Sequence, residues 1–255
     1  MSDYRGIGKA ERPMLPFVAI PTTAGTGSEC QSFALIADEE THMKMACGDK
    51  KAAASVAILD PELTLTQPAM VTAHTGIDAI THAVETAVTK RRTAVSVHYS
   101  KLAFALLDRG FAEVLRDPKS LIARARMQLG AAYAGTAIEN SMLGAAHSAA
   151  NPLTAHFGLV HGDAVGVMMP HVVRMNAAGD PETAARYAEF FDGDLPARLE
   201  THLEMAGVKP RLADYGIEAA EIPMLSGEAA KQWTAQFNPV DVGAAGFEAL
   251  YRAAF

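Results

Sequence analysis

Cysteine is scarce in this 255-residue chain. Cys30 and Cys47 are its two, and neither stands in a C-x-x-C pair or another metal-ligand spacing. A thiolate metal cluster is excluded on that count, and two unpaired thiols fit a reducing compartment. Runs of positive charge are missing too. Nothing exceeds the triplet Lys90, Arg91 and Arg92, and the formal net charge is −7. That argues against a nucleic-acid partner, because phosphate binding needs a basic face. Long apolar runs are also lacking. The stretch "AVGVMM" is far too short to cross a bilayer, and the opening "MSDYRGIGKAERP" has no apolar segment of a secretory signal. The expectation is a cytoplasmic protein without a membrane partner. What is present is 49% hydrophobic residues against 20% charged, enough for a sizeable core in one large domain or two small ones.

The pattern changes near residue 67. Before it, "FVAIP", "SFALIAD" and "SVAILDP" are short apolar runs that end in turn signals, as strands do. After it, "AHTGIDAITHAVETAV", "YSKLAFALLDRGFAEVL" and "LIARARMQLGAAYAGTAI" repeat apolar residues at helical spacing and are rich in alanine, the best helix former. Pro118, Pro152, Pro170, Pro181 and Pro196 punctuate the helical part. The chain therefore reads as a small α/β piece, residues 1–67, followed by a large all-helical domain, residues 68–255. Three short strands cannot cover both faces of a parallel sheet, so the α/β piece reads as the remnant of a larger domain.

Two segments carry metal-ligand chemistry. In "GIDAITHAVE", Asp78 and His82 are four residues apart, so both leave one face of a helix. A carboxylate and an imidazole so placed can share a metal ion, or form a simple surface pair. In "GAAHSAANPLTAHFGLVHGDAVG", His147, His156 and His161 stand among small apolar residues, where an unpartnered imidazole is costly. They are either separately hydrogen-bonded or part of one site. Spacing does not choose, since Asn151-Pro152 is expected to break any helix between His147 and His161. One Asp with two or three His suits a divalent ion of borderline softness, iron(II) or zinc.

The stretch "PTTAGTGSE" is neither a G-x-G-x-x-G nor a Walker loop. Its hydroxyls at Thr22, Thr23, Thr26 and Ser28, with Gly25 and Gly27 permitting close backbone approach, suit contact with phosphate or ribose. An ordinary turn is the alternative.

Taken together, "PTTAGTGSE", "GIDAITHAVE", "AAHSAANPLTAHFGLVHG", "PHVVRMN" and "QWTAQFNP" resemble, in the family's order, the iron-containing (group III) alcohol dehydrogenases of dehydroquinate synthase-like fold. The resemblance implies metal ligands at Asp78, His82, His147 and His161, and a nicotinamide-facing loop at Thr22, Thr23, Gly25 and Thr26. It implies a ribose contact at Lys44 and a substrate pocket touching Ile138 and Phe157. Residues 1–67 would then be the end of the Rossmann-like dinucleotide-binding domain.

Two departures stand out. Many family members carry a further histidine four residues after the third ligand; here that position is Asn151, which can hydrogen-bond but cannot titrate. The glycine-rich turn that grips the pyrophosphate in the family is not found before "PTTAGTGSE", as in a shortened member. An α/β domain cut in this way would expose strand edges and an apolar face, so a homo-oligomer is expected. The implied activity is hydride transfer between a small alcohol or aldehyde and NAD or NADP, at iron(II) or zinc. A glycerol dehydrogenase-like enzyme and an inactive member that binds metal only are the alternatives. A metal-dependent hydrolase would leave "PTTAGTGSE" unexplained.

Overall fold

The structure, a computed structural model, describes residues 2–39 and 44–255, and for Lys44 the backbone alone. Among the described residues, five short strands precede nine α-helices. The strands are β1 (Gly6–Ile7), β2 (Val18–Ala19), β3 (Phe33–Ala37), β4 (Lys44–Gly48) and β5 (Val56–Ala57). One sheet has the order β1-β4-β3, with β1 parallel and β3 antiparallel to β4; β2 and β5 form a separate parallel pair. The three expected strand segments each contain a strand. β1 and β4 were not expected: "KMACG" has no β-branched or aromatic residue to mark it, and its partner β3 recruits it, Phe33 facing Gly48 and Ala37 facing Lys44.

The helices are α1 (Ala69–Thr86), α2 (Ala94–Arg116), α3 (Leu121–Glu139), α4 (Ala145–Phe157), α5 (His161–Gly179), α6 (Pro181–Phe190), α7 (Leu195–Ala206), α8 (Ile222–Ala229) and α9 (Ala244–Ala253). Local chemistry sets their ends. Thr93 and Ser96 form a reciprocal capping box at the start of α2, and Asp194 accepts from the Ala197 N–H at the start of α7. Pro181 and Pro196 sit in first turns, where a missing N–H costs nothing.

Pro152 and Pro170 correct the expectation. They lie inside α4 and α5, and no break separates His147 from Phe157. Both prolines are buried. The packing of these helices outweighs one lost backbone bond each, as tertiary contacts commonly override local preference. α4 ends instead at Gly158, in the left-handed region at φ 65°.

α1 is the centre of the molecule. Every residue from Gly76 to Thr86 is buried, as expected of a helix with neighbours on all sides; α2, α3, α5 and α7 pack around it. Polar side chains on such a helix need a reason, and it carries Asp78, His82 and Glu85. No helix among the described residues is long and apolar enough to cross a membrane.

Candidate metal and substrate site

Three imidazoles converge on one carboxylate oxygen. Asp78 Oδ1 lies 3.3 Å from His82 Nε2, 3.5 Å from His147 Nε2 and 3.8 Å from His161 Nε2. Asp78 and His82 come from successive turns of α1, His147 from the first turn of α4, and His161 opens α5. The ligand atoms of Asp78, His147 and His161 all lie within 4.8 Å of one another. The His82 and His147 rings stack at 4.8 Å between centroids. Asp78, His82 and His147 are each 5% exposed, while His161 is half-buried, so the cluster is closed on the α1 side and reachable past His161.

These spacings exceed a good hydrogen bond. Among the described residues, Asp78 Oδ1 and His147 Nε2 are buried without a hydrogen-bond partner. Two converging orphans are costly in a folded protein. A cation between them would remove that cost: donors about 2.0–2.2 Å from a tetrahedral ion stand roughly 3.3–3.6 Å apart. Oxygen and imidazole donors suit iron(II) or zinc. The residues present therefore fit a divalent metal.

Titration behaviour follows the same geometry. Burial would raise the Asp78 carboxyl, but the three facing imidazoles outweigh it and hold the group well below the usual carboxylate range. Burial lowers His82 to about 4, helped by the neighbouring His147 and opposed by the carboxylates of Asp78 and, more weakly, Glu85. Burial works against His147 too, yet Glu85 and Asp78 flank it and push it up to about 9.

Glu85 is the functional residue that sequence reasoning missed. It accepts from His147 Nδ1 at 2.5 Å and, through its other oxygen, from the Ala146 N–H at 2.7 Å. The first bond leaves His147 Nε2 facing the cluster; the second places a carboxylate at the positive end of α4. The signal was available, since Asp78, His82 and Glu85 fall at i, i+4 and i+7 on one helical stripe. The motifs "PHVVRMN" and "QWTAQFNP" serve the same helix end. Asn238 Oδ1 accepts from the Ala145 N–H at 3.2 Å, and Asn238 Nδ2 donates to Asn176 Oδ1 at 2.7 Å.

The loop Pro21–Glu29 is clamped between α1 and α3. Gly27 holds a φ of +61°, and a Cβ on Gly135 of α3 would stand 2.2 Å from the Gly27 carbonyl oxygen. Gly25 packs as closely on Thr75 of α1. Gln67 donates to the Thr22 carbonyl at 2.9 Å, and Gln128 to the Pro21 carbonyl at 3.2 Å. The result is a two-sided loop. Ala24, Gly25 and Gly27 are buried, Thr23 is half-buried, and Thr22, Thr26 and Ser28 are exposed, the Ser28 hydroxyl donating to Thr26 Oγ1 at 3.1 Å. Lys44 opens β4, and its side chain lies outside the described set.

A small pocket adjoins the imidazoles. His147, His161 and Asn151 line it together with Ile138, Phe33 and Trp233. Asn151 sits one turn after His147 and donates to Gln232 Oε1 at 3.0 Å. Phe157 is not among the lining residues; it is half-buried in the last turn of α4. His156 lies elsewhere as well. Nine residues after His147 it is about half a turn round α4, and it pairs with Glu228 at 2.7 Å.

The chain matches known proteins along most of its length. The family model described as the C-terminal region of the Fe-containing alcohol dehydrogenase family matches residues 72–255, and the iron-containing alcohol dehydrogenase model matches residues 1–61. An NAD-dependent methanol dehydrogenase of Bacillus methanolicus is 33% identical over 251 residues, covering 94% of this chain and 66% of that protein. A 1,3-propanediol dehydrogenase of Klebsiella pneumoniae is 33% identical over 264 residues, covering 99% and 68%. The crystal structure of a 1,3-propanediol oxidoreductase matches with a TM-score of 0.93 at 31% identity, over 99% of this chain and 69% of that one. The chain thus spans about two thirds of the length of the curated relatives it matches. Its few strands followed by an all-helical domain are the dehydroquinate synthase-like arrangement, and by fold and sequence the chain belongs to the iron-containing alcohol dehydrogenase family.

Proposed function

We propose that this chain carries the metal site and part of the nicotinamide site of an alcohol dehydrogenase or aldehyde reductase acting on small alcohols. The observation that carries the reading is the convergence of three imidazoles on Asp78 Oδ1 beside an apolar pocket. An iron(II) or zinc ion held by Asp78, His82, His147 and His161 would supply Lewis acidity toward the substrate oxygen, and NAD or NADP the hydride acceptor or donor.

The chain's own residues do the rest. Glu85 orients His147. Ile138 and its apolar neighbours keep water from the reacting carbon. Thr22 and Thr26, exposed on the loop, with Thr23 and Gly25 beside them, are offered to the cofactor, and the family resemblance adds Lys44 as a ribose contact. Asn151 can hydrogen-bond the substrate but cannot take its proton, so it is not the base for the alcohol. Val18, Ile20, Val56 and Ile58 are each about half exposed on β2, on β5 and just beyond them, which supports pairing with a second copy of the chain, read by sedimentation.

The test is metal content after purification with oxygen excluded and neither metal nor chelator added. About one iron or zinc per chain is expected, absent from His161→Ala, together with NAD(P)-dependent oxidation of a short alcohol. A folded chain without metal overturns the reading.

A further inference from the structure

We propose, resting on that dehydrogenase reading, that the stacked Phe33 and Trp233 rings form a partition that restricts the substrate to a short alcohol or its aldehyde.

Two cavities meet at this pair. The inner one, against His147 and His161, has a volume of ≈ 50 Å³. One water-sized group needs about 10–15 Å³ by this kind of measure, so the inner cavity holds roughly three to five non-hydrogen atoms. The outer one has a volume of ≈ 650 Å³ and reaches Arg5, Ile7, Met45 and Lys231. Phe33 and Trp233 line both. Their rings stack nearly parallel, 16° apart, with centroids at 5.7 Å. The Asn151–Gln232 hydrogen bond crosses the same boundary, Asn151 lining the inner cavity and Gln232 the outer.

The partition is braced on both sides. Phe33 faces Gly48 across the β3–β4 ladder, and a Cβ on Gly48 would stand 2.3 Å from the Phe33 ring. The ring therefore lies flat against bare backbone, a cross-strand pairing that stiffens it. On the other side Phe237 meets Trp233 edge-on at 5.7 Å. Side chains fixed on two faces do not swing aside at low cost. Among the described residues, the inner walls beyond His147, His161, Asn151, Gln31 and Thr234 are apolar.

Trp233 is the single tryptophan of the chain, so its emission reports this wall without turnover. The protein purified with its metal is titrated with ethanol, 1-propanol, 1-hexanol and 1-octanol. A saturable emission change with the two short alcohols, and about tenfold weaker apparent affinity for the two long ones, is expected. Phe33→Ala keeps the reporter and opens the wall, so 1-hexanol should then bind at least as tightly as ethanol. Trp233→Ala should raise kcat/KM for 1-hexanol relative to ethanol by about tenfold or more, and Trp233→Phe should keep the native preference. Far-UV circular dichroism identifies a variant that fails to fold, leaving the other to decide. Emission that ignores chain length, or does not respond at all, overturns the partition, as does an unchanged length preference in the folded variants. Length-dependent emission without NADH formation from any alcohol upholds the partition and removes only the dehydrogenase reading.

Discussion

The Glu85 carboxylate holds His147 Nδ1 at 2.5 Å while its second oxygen holds the Ala146 N–H at 2.7 Å. One buried side chain thus fixes both an imidazole of the Asp78 cluster and the backbone that carries it. Glu85→Gln puts an amide where two donors converge, so either one of the two bonds fails or His147 carries its proton on Nε2, toward Asp78. Outer-sphere partners of this type are worth about 10–100-fold in metal affinity. Chelator competition should show a loss of that order, with helical content by circular dichroism retained.

Gly135 and Gly27 touch backbone to backbone. Gly135→Ala must displace the loop, because the obstructing atom is a carbonyl oxygen and not the end of a flexible side chain. Overpacking of this kind costs about 1–3 kcal/mol. Urea unfolding should register it, and NADH affinity should fall with it. Thr26→Ala, on the exposed side of the same loop, should change stability by less than about 0.5 kcal/mol while still weakening NADH.

Asp108 joins α2 to α7, with Arg198 Nε at 2.6 Å and His202 Nε2 at 3.1 Å. Burial would raise its carboxyl, but His202 and Arg198 outweigh that and lower it to about 2. A depressed carboxylate contributes stability above its unfolded value, 3.8, and that contribution is lost as pH falls through the folded value. Urea midpoints of the native chain and of Asp108→Asn should therefore differ at pH 6 and draw together between about pH 4 and 2.

Asn238 is 1% exposed and bonds Ala145, Asn176 and Val240 at once. Asn238→Ala leaves several buried groups unpaired at about 1–3 kcal/mol for each unsatisfied one. The melting temperature should fall. Metal affinity should fall too, since the freed helix end carries His147.

The division of labour along the chain was legible in residue pattern, because strand runs and helical periodicity change character near residue 67. Strand β4 was not, since "KMACG" is a strand only by virtue of its partner. Asp78 and His82 could be paired from spacing, being one turn apart on one helix. His147 and His161 could not, because the turn at Gly158–Val160 sets their geometry and no local rule predicts its angle; the family resemblance supplied them. Pro152 misled for a related reason: a local penalty was read without the packing that offsets it. Glu85 lay in plain view in "GIDAITHAVE", and only its buried bonds to a different helix distinguish it from a solvated glutamate.

The two faces of the Pro21–Glu29 loop have a consequence for how this region varies. Gly27 and Gly135 admit hydrogen alone as a side chain, whereas Thr22, Thr26 and Ser28 between and beside the glycines are exposed. Saturation mutagenesis scored for abundance alone would print a barcode across the loop: intolerant bars at the glycines, with a matching bar more than a hundred positions downstream at Gly135, and permissive gaps at the hydroxyls. Rescored for catalysis, the gaps would fill in. The difference between the two barcodes would separate what shapes this loop from what uses it.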